Sequence, residues 1–340
     1  MRNGAMGIAA AIFALAAASI AQAQSAADFY RGKTVELYIG YSVGGGYDVY
    51  ARMLARHIGK HIPGNPNVVP KNMEGAGSLR LANWLYNVGA KDGTVFGTIG
   101  RGTGFDPLFG HRNAQFDGAK FTWIGSANDE VSVCVVWNGR TKISKFEDLL
   151  TTPLTVGGTS AAADTDQFPL VMNGVLGTKM KVITGYPGGN EVNLAMERGE
   201  VDGRCGWSWS SVKSTRPSWV ADKKVAILVQ LALAKHPDLP DAPLVTDLAK
   251  TDEQRQILKL IFARQALGRP YLAPPGIPAA RAEILRTAFM ETMRDKDFLA
   301  EAEQAQLEIT PVDGANLQKL VAELYATPPA VVKKAAELLK

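Results

Sequence analysis

The residues Gly40-Tyr-Ser-Val-Gly-Gly-Gly-Tyr-Asp48 allow two kinds of chemistry. The first five fit G-x-S-x-G, the turn that exposes a nucleophilic serine between a strand and a helix. The glycine run before a helical pattern also fits an anion cradle: glycines let successive N–H groups converge, and the helix adds a positive dipole end. Ser42 is the candidate nucleophile in one case and a hydroxyl donor in the other. A hydrolase elbow draws part of its oxyanion hole from an earlier strand, and too little chain precedes Ser42 for more than one. His236, in the turn-like KHPDLP, is the remaining base. The cradle, built from Gly44, Gly45 and Gly46, asks for less. Asp48 is expected in the first turn, bonding backbone amides.

Polar candidates recur downstream. Thr159 and Ser160 follow Gly157-Gly158 at a loop-to-helix junction, a place that binds anions or caps helices. Asp164 and Asp166 read as caps pointing away from the ligand, or else as contacts for a cationic or hydroxylated group. Arg101 follows a strand and Arg204 lies near the end of another; each fits a bidentate carboxylate clamp or a local ion pair, with Asp106 or Asp202 as nearby acids. Trp207 and Trp209 fit a stacking surface or burial between lobes. His57 and His61 stand four apart on a helix, but no HExxH accompanies them, and no metal or cofactor is expected.

The elements that must position these groups follow from periodicity. Val35–Tyr41 reads as a strand and Asp48–Ile58 as a helix with Tyr50, Met53, Leu54, His57 and Ile58 inward. Asn67–Asn72 is a strand, Ser78–Val88 a helix, Thr94–Ile99 a strand: β-α-β-α-β, the pattern of a parallel sheet. The pattern restarts with strands at Phe121–Ser126, Val131–Trp137, Leu154–Val156, Lys181–Thr184, Val201–Trp207 and Lys224–Leu231. Ser144–Leu150, Phe168–Leu176 and Glu191–Arg198 read as helices. Beyond Leu231 the chain reads as helical. Two α/β units without a long linker predict two lobes around a cleft. Three glycine loops, Gly44–Gly46, Gly157–Gly158 and Gly185–Gly189, fall at strand ends, where open α/β sheets bind ligands.

Composition bounds the class. Of 340 residues, 46% are apolar and 21% charged, with a formal charge of +4; so balanced a chain argues against nucleic acid as the main partner. Arg2, the uncharged stretch Ala5–Ser19 and Ala21-Gln22-Ala23 read as a signal peptide cleaved after Ala23. An exported, periplasmic chain follows, long enough for two domains. Cys134 and Cys205 lie in apolar strand-like segments and read slightly better as two buried free thiols than as a disulfide.

Tyr30–Asn87, with Tyr41–Asp48 and the Asn72–Gly77 turn, resembles the start of the extracytoplasmic receptors of tripartite tricarboxylate transporters, the Bug receptors. Lys91–Thr94, the GYPGG loop, ERGEVD at Glu197–Asp202, HPDLPDAPLVTDLA and APPGIPAARAEILRTAF continue the likeness over nearly all of the mature chain. The resemblance implies an α/β, two-lobed periplasmic binding protein of the Venus-flytrap kind, type II-like. Residues 24–128 would form the first part of lobe 1, 129–228 lobe 2, and 229–340 the rest of lobe 1, after a 1–23 signal peptide. It also implies a non-catalytic, monomeric receptor that delivers a small organic acid to membrane permease subunits; a sensor that presents its ligand to a membrane kinase is the alternative that the sequence does not separate from transport. One ligand carboxylate would rest on the first glycine loop. The expected ligand-binding set is Tyr41, Ser42, Gly44, Gly45, Gly46, Tyr47, Arg101, Gly158, Thr159, Ser160, Arg204 and Trp207. The chain departs from the pattern at Tyr47, in the loop Gly157–Asp166 and in the aromatic run Gly203–Trp209, where the far end of a ligand should lie.

Overall fold

A computed structural model describes residues 27–339; the expected signal peptide lies outside the described residues. In chain order the main elements are β1 (Thr34–Ile39), α1 (Gly46–Ile58), β2 (Asn67–Asn72), α2 (Leu79–Asn87), β3 (Val95–Thr98), β4 (Thr122–Ser126), β5 (Ser132–Trp137) and β6 (Leu154–Gly157). Then come α3 (Asp164–Leu176), β7 (Met180–Ile183), α4 (Gly189–Arg198), β8 (Gly203–Ser208), α5 (Trp209–Thr215), α6 (Pro217–Ala221) and β9 (Val225–Leu231). The last part holds α7 (Asp252–Phe262), β10 (Pro270–Ala273), α8 (Ala279–Thr292), α9 (Lys296–Gln304), β11 (Val312–Asp313), α10 (Gly314–Tyr325) and α11 (Pro329–Glu337).

The strands form two sheets, ordered β11-β4-β10-β3-β1-β2 and β7-β6-β8-β5-β9. Each sheet with its helices is a lobe, the first carrying β1. β1 pairs in parallel with β2 and β3, as the β-α-β-α-β pattern predicts. Each sheet also contains an antiparallel strand that the pattern did not announce: β10 between β3 and β4, and β5 between β8 and β9. β10 and β11 fall in the stretch read as helical. With four and two residues they are too short to show a period, and their strand state is imposed by the neighbours they pair with. α5 likewise begins at Trp209, so Trp207 and Trp209 do not share a strand face.

Helix α1 buries Tyr50, Met53, Leu54 and Ile58 against the first sheet; each large apolar side chain so buried contributes about 1.5–3 kcal/mol. Its outer edge is tied to α9. His57 Nε2 meets Glu301 Oε2 at 2.7 Å, and His61 Nε2 and Lys60 Nζ meet Asp295 Oδ2 at 3.0 and 2.7 Å. The two histidines thus serve two different carboxylates. Asp295 also caps α9 by accepting from the amides of Asp297 and Phe298 at 2.9 and 3.1 Å.

Cys134 and Cys205 are joined, against the expectation of free thiols. Their strands, β5 and β8, are antiparallel neighbours, and the Cα atoms lie 4.0 Å apart where the register shifts. A separation of 71 residues hides this pairing from the sequence. Closing a loop of that size stabilises the fold by about 4 kcal/mol in the chain-entropy picture.

The bond from Lys60 holds the Asp295 carboxyl below the usual carboxylate range, reinforced by the α9 amides and His61. A carboxylate lowered on folding stabilises fully above its unfolded pKa, about 4, and loses that contribution as pH falls towards the lowered value. Asp295→Ala should cost about 1 kcal/mol as a lost cap, or about 1–2 °C in Tm. Asp295→Asn, which retains a capping oxygen, should flatten the fall of Tm below about pH 4; thermal unfolding across an acid series reads both.

Candidate functional site

The loop after β1 takes its shape from Asp48. Its Oδ2 accepts the Gly44 amide at 2.9 Å, and its Oδ1 accepts from Arg52 Nε and Asn72 Nδ2, both at 2.9 Å. Gly44 has φ +84°, a left-handed conformation that favours glycine. The loop then turns into α1 at Gly46, so the first amides of the helix lack intrahelical acceptors. Gly45, Gly46 and Tyr47 line one wall of a cavity of about 50 Å³ between the lobes. Tyr41 stacks on Tyr47 with centroids 4.7 Å apart, and the Tyr47 hydroxyl accepts the Arg101 amide at 3.1 Å.

The opposite wall comes from the second lobe: Thr159, the first turn of α3, Gly189 of α4, Arg204, Gly206 and Ser208 of β8, and Ser211 of α5. Helix α3 begins at Asp164, four residues before the expected start. Its acids therefore lie in the first turn, where the helix dipole favours negative charge. Asp166 does not cap the helix, whose N-cap is Ala163; it ties down the preceding loop, accepting from the Ser160 amide and the Thr165 hydroxyl at 3.1 and 3.0 Å. Asp164 faces the cleft and pairs with Arg101 Nε at 3.2 Å and Arg264 Nη1 at 3.4 Å.

Three buried guanidiniums, Arg101, Arg204 and Arg269, line the cavity, and a fourth, Arg264, pairs with Asp164 from outside the lining. Arg101 reaches Gln265 and Ser208 besides Asp164. Arg269, just before β10, donates to Ser208, Ser210 and Ser211 at 3.0, 3.1 and 2.7 Å and pairs with Glu130 at 3.4 Å. Arg264 shares Asp164 with Arg101. Burial pushes Asp106 well above the usual carboxylate range and neither of its oxygens has a hydrogen-bond partner, so it is poorly able to neutralise a cation. Arg204 differs from the other three. Its Nη1 donates to Gly189 O and Asn193 Oδ1 at 2.9 and 2.8 Å, and its guanidinium lies 4.7 Å over the Trp207 ring. Each of the four keeps one buried nitrogen without a hydrogen-bond partner, Nε in Arg101, Arg204 and Arg269 and Nη2 in Arg264, but Arg204 alone of the four has no carboxylate within 4.0 Å among the described residues. Burial pulls Arg204 down to about 9, leaving it charged at neutral pH.

Of the expected set, Tyr41, Gly45, Gly46, Tyr47, Arg101, Thr159 and Arg204 line the cavity. Five residues lie outside it. Ser42 donates to Glu191 Oε2 across the cleft at 2.8 Å, and Gly44 donates to Asp48. Gly158 donates to Ile183 O at 2.8 Å, Ser160 donates its amide to Asp166, and Trp207 is buried beneath Arg204. His236, the possible base, faces Glu308 Oε1 at 3.2 Å. Sequence reasoning preferred a cap for Asp164 over contact with a cationic group, and missed Ser208, Ser211 and Arg269. Arg269 sits in Gly268-Arg-Pro270, directly before an unrecognised strand, and carried no loop signal.

Two mixed sheets whose loops enclose a polar cleft define a two-lobed periplasmic binding protein fold. The solved structure of the periplasmic binding protein BugD has a TM-score of 0.73 and 18% identity, over 90% of this chain and 98% of that one. MatC from Rhodopseudomonas palustris, solved with bound malate, has a TM-score of 0.70 and 16% identity, over 91% and 99%. By sequence, the chain is 24% identical over 333 residues to a UPF0065 protein from the TAR-I ttuE-ttuC' intergenic region of Agrobacterium vitis, covering 93% of this chain and 83% of that protein. No family model matches the chain. In sequence and in fold it is similar to the Bug receptors of tripartite tricarboxylate type.

Gly46 tests whether the lobes must meet. A Cβ there would lie 1.9 Å from Ser211 Oγ on the other lobe. Gly46 is the first residue of α1, so little helix propensity is gained there, and the same Cβ would lie 3.1 Å from Arg269 Nη2. Gly46→Ala should therefore weaken ligand binding about tenfold while costing little in Tm, read by calorimetry beside thermal unfolding.

Proposed function

We propose that the protein is an exported receptor that captures a small organic acid between its lobes and passes it to the permease of a tripartite tricarboxylate-type transporter. The observation that carries this is Arg204, a buried guanidinium on the cavity wall with no carboxylate to match it. A buried charge is stable when paired, and a solute carboxylate supplies the missing partner. The opposite wall adds the first-turn amides of α1, which favour an anion. Relatives support the class, since MatC was solved with malate. Among the described residues no helix is long and apolar enough to cross a membrane; the proposed export signal is Arg2–Ala23.

Capture proceeds by lobe closure. Arg101 from the first lobe meets Asp164 and Ser208 of the second, and Ser42 meets Glu191. These bonds exist only when the lobes meet, so closure stabilises the bound state. A cavity of about 50 Å³ holds a few water molecules, so a solute of more than a few atoms holds the lobes further apart. We read the receptor as monomeric and non-catalytic. Ser42 spends its hydroxyl on a carboxylate of the opposite lobe, an arrangement suited to closure.

A thermal-shift screen of mono- and dicarboxylates tests the reading. At a hundred times Kd a ligand stabilises by about 2.7 kcal/mol, which for a chain of this size raises Tm by about 4 °C. Arg204→Gln should weaken binding about tenfold or more. Absence of any shift with every acid tried overturns the proposal.

A further inference from the structure

The charges around the cavity divide unequally. Glu130 serves Arg269 at 3.4 Å. Asp164 serves two cations at once, Arg101 through Oδ2 at 3.2 Å and Arg264 through Oδ1 at 3.4 Å. Arg204 has none. Asp164 lines the cavity, its side chain is 11% exposed, and it reaches Arg101 across the cleft from the other lobe. One carboxylate spreading its two oxygens over two buried guanidiniums is the arrangement a bound acid would adopt there. The chain fills that position with a side chain of its own.

We propose that Asp164 determines specificity by standing in for a solute carboxylate, so that the site refuses acids with an additional carboxylate beside Arg101. The inference rests on the acid-receptor reading above and deepens it by fixing how many charges the ligand carries into the cleft. With Asp164 in place, the four guanidiniums outnumber the two carboxylates, Glu130 and Asp164, by two, and Arg204 is the one with no carboxylate beside it. A further carboxylate at Arg101 would face the Asp164 charge in a buried setting and find both nearby cations already engaged, a like-charge approach that low dielectric makes costly. Removing the Asp164 charge frees Arg101 and Arg264 together.

The test compares glutarate with propane-1,2,3-tricarboxylate, which differ by one carboxylate on the same three-carbon chain. Titration calorimetry on wild-type protein and Asp164→Asn gives the ratio of their affinities, a quantity that a merely structural role would leave unmoved. The wild type should favour glutarate about tenfold or more, and Asp164→Asn should shift the ratio towards the tricarboxylate by about tenfold. Asp164→Ser serves if the asparagine variant does not fold, and the wild-type preference is readable without either. A wild type that binds the tricarboxylate as tightly as glutarate, or a variant with an unchanged ratio, overturns the role of Asp164 alone. Failure of the wild type to bind either acid counts against this role too, and failure with every acid in the thermal screen brings down the receptor reading beneath it.

Discussion

Four guanidinium groups lie buried between two sheets, and their charge has to be answered from inside the protein. An ion held away from water is tolerated only when partners replace its hydration. Glu130 answers Arg269, and Asp164 answers Arg101 and Arg264. Arg204 rests on neutral oxygens and the face of Trp207. Several of these partners belong to the opposite lobe, so the way the lobes meet is specified by polar contacts. Such contacts can be exchanged for water when the lobes part.

Topology places the charges. In the first sheet β10 runs antiparallel between β3 and β4, bringing Arg269 to the cleft beside the loop that follows β3. In the second sheet β8 lies between β6 and β5 and carries Arg204, Gly206 and Ser208 to the cavity wall. The disulfide ties β8 to β5 one residue beyond Arg204, at the register shift, so the segment bearing the unmatched charge is held covalently to its neighbour. On the first lobe Asp48 does similar work by hydrogen bonding, holding the glycine loop so that the start of α1 faces the cavity. Rigid supports of this kind leave lobe separation as the natural motion.

The departures from the Bug pattern have a structural account. Tyr47 stacks on Tyr41, receives the Arg101 amide, and lies 4.7 Å beneath the Arg269 guanidinium. An aromatic ring here supports two of the four cations, which a threonine could not do. The segment Gly203–Trp209 supplies Arg204 with its ring partner, and the loop Gly157–Asp166 leads into the turn that presents Asp164. All three departures converge on one electrostatic arrangement.

The sequence by itself determined the local features: the β-α-β-α-β run, the glycine loop ahead of α1, the structural role of Asp48, and the polar glycine loops at strand ends. These follow from period, propensity and turn chemistry, which act over a few residues and leave a visible pattern. Tertiary structure decided the rest. It paired Cys134 with Cys205, made strands of Pro270–Ala273 and Val312–Asp313, brought Arg269 into the cleft, and turned Asp164 from a cap into a partner for two arginines. Each of these depends on groups tens to hundreds of residues apart in the chain. Which buried charge meets which is fixed only when the sheets have formed and the lobes face each other, because hydrogen bonds and ion pairs reach only a few ångströms and nothing in local spacing encodes that approach.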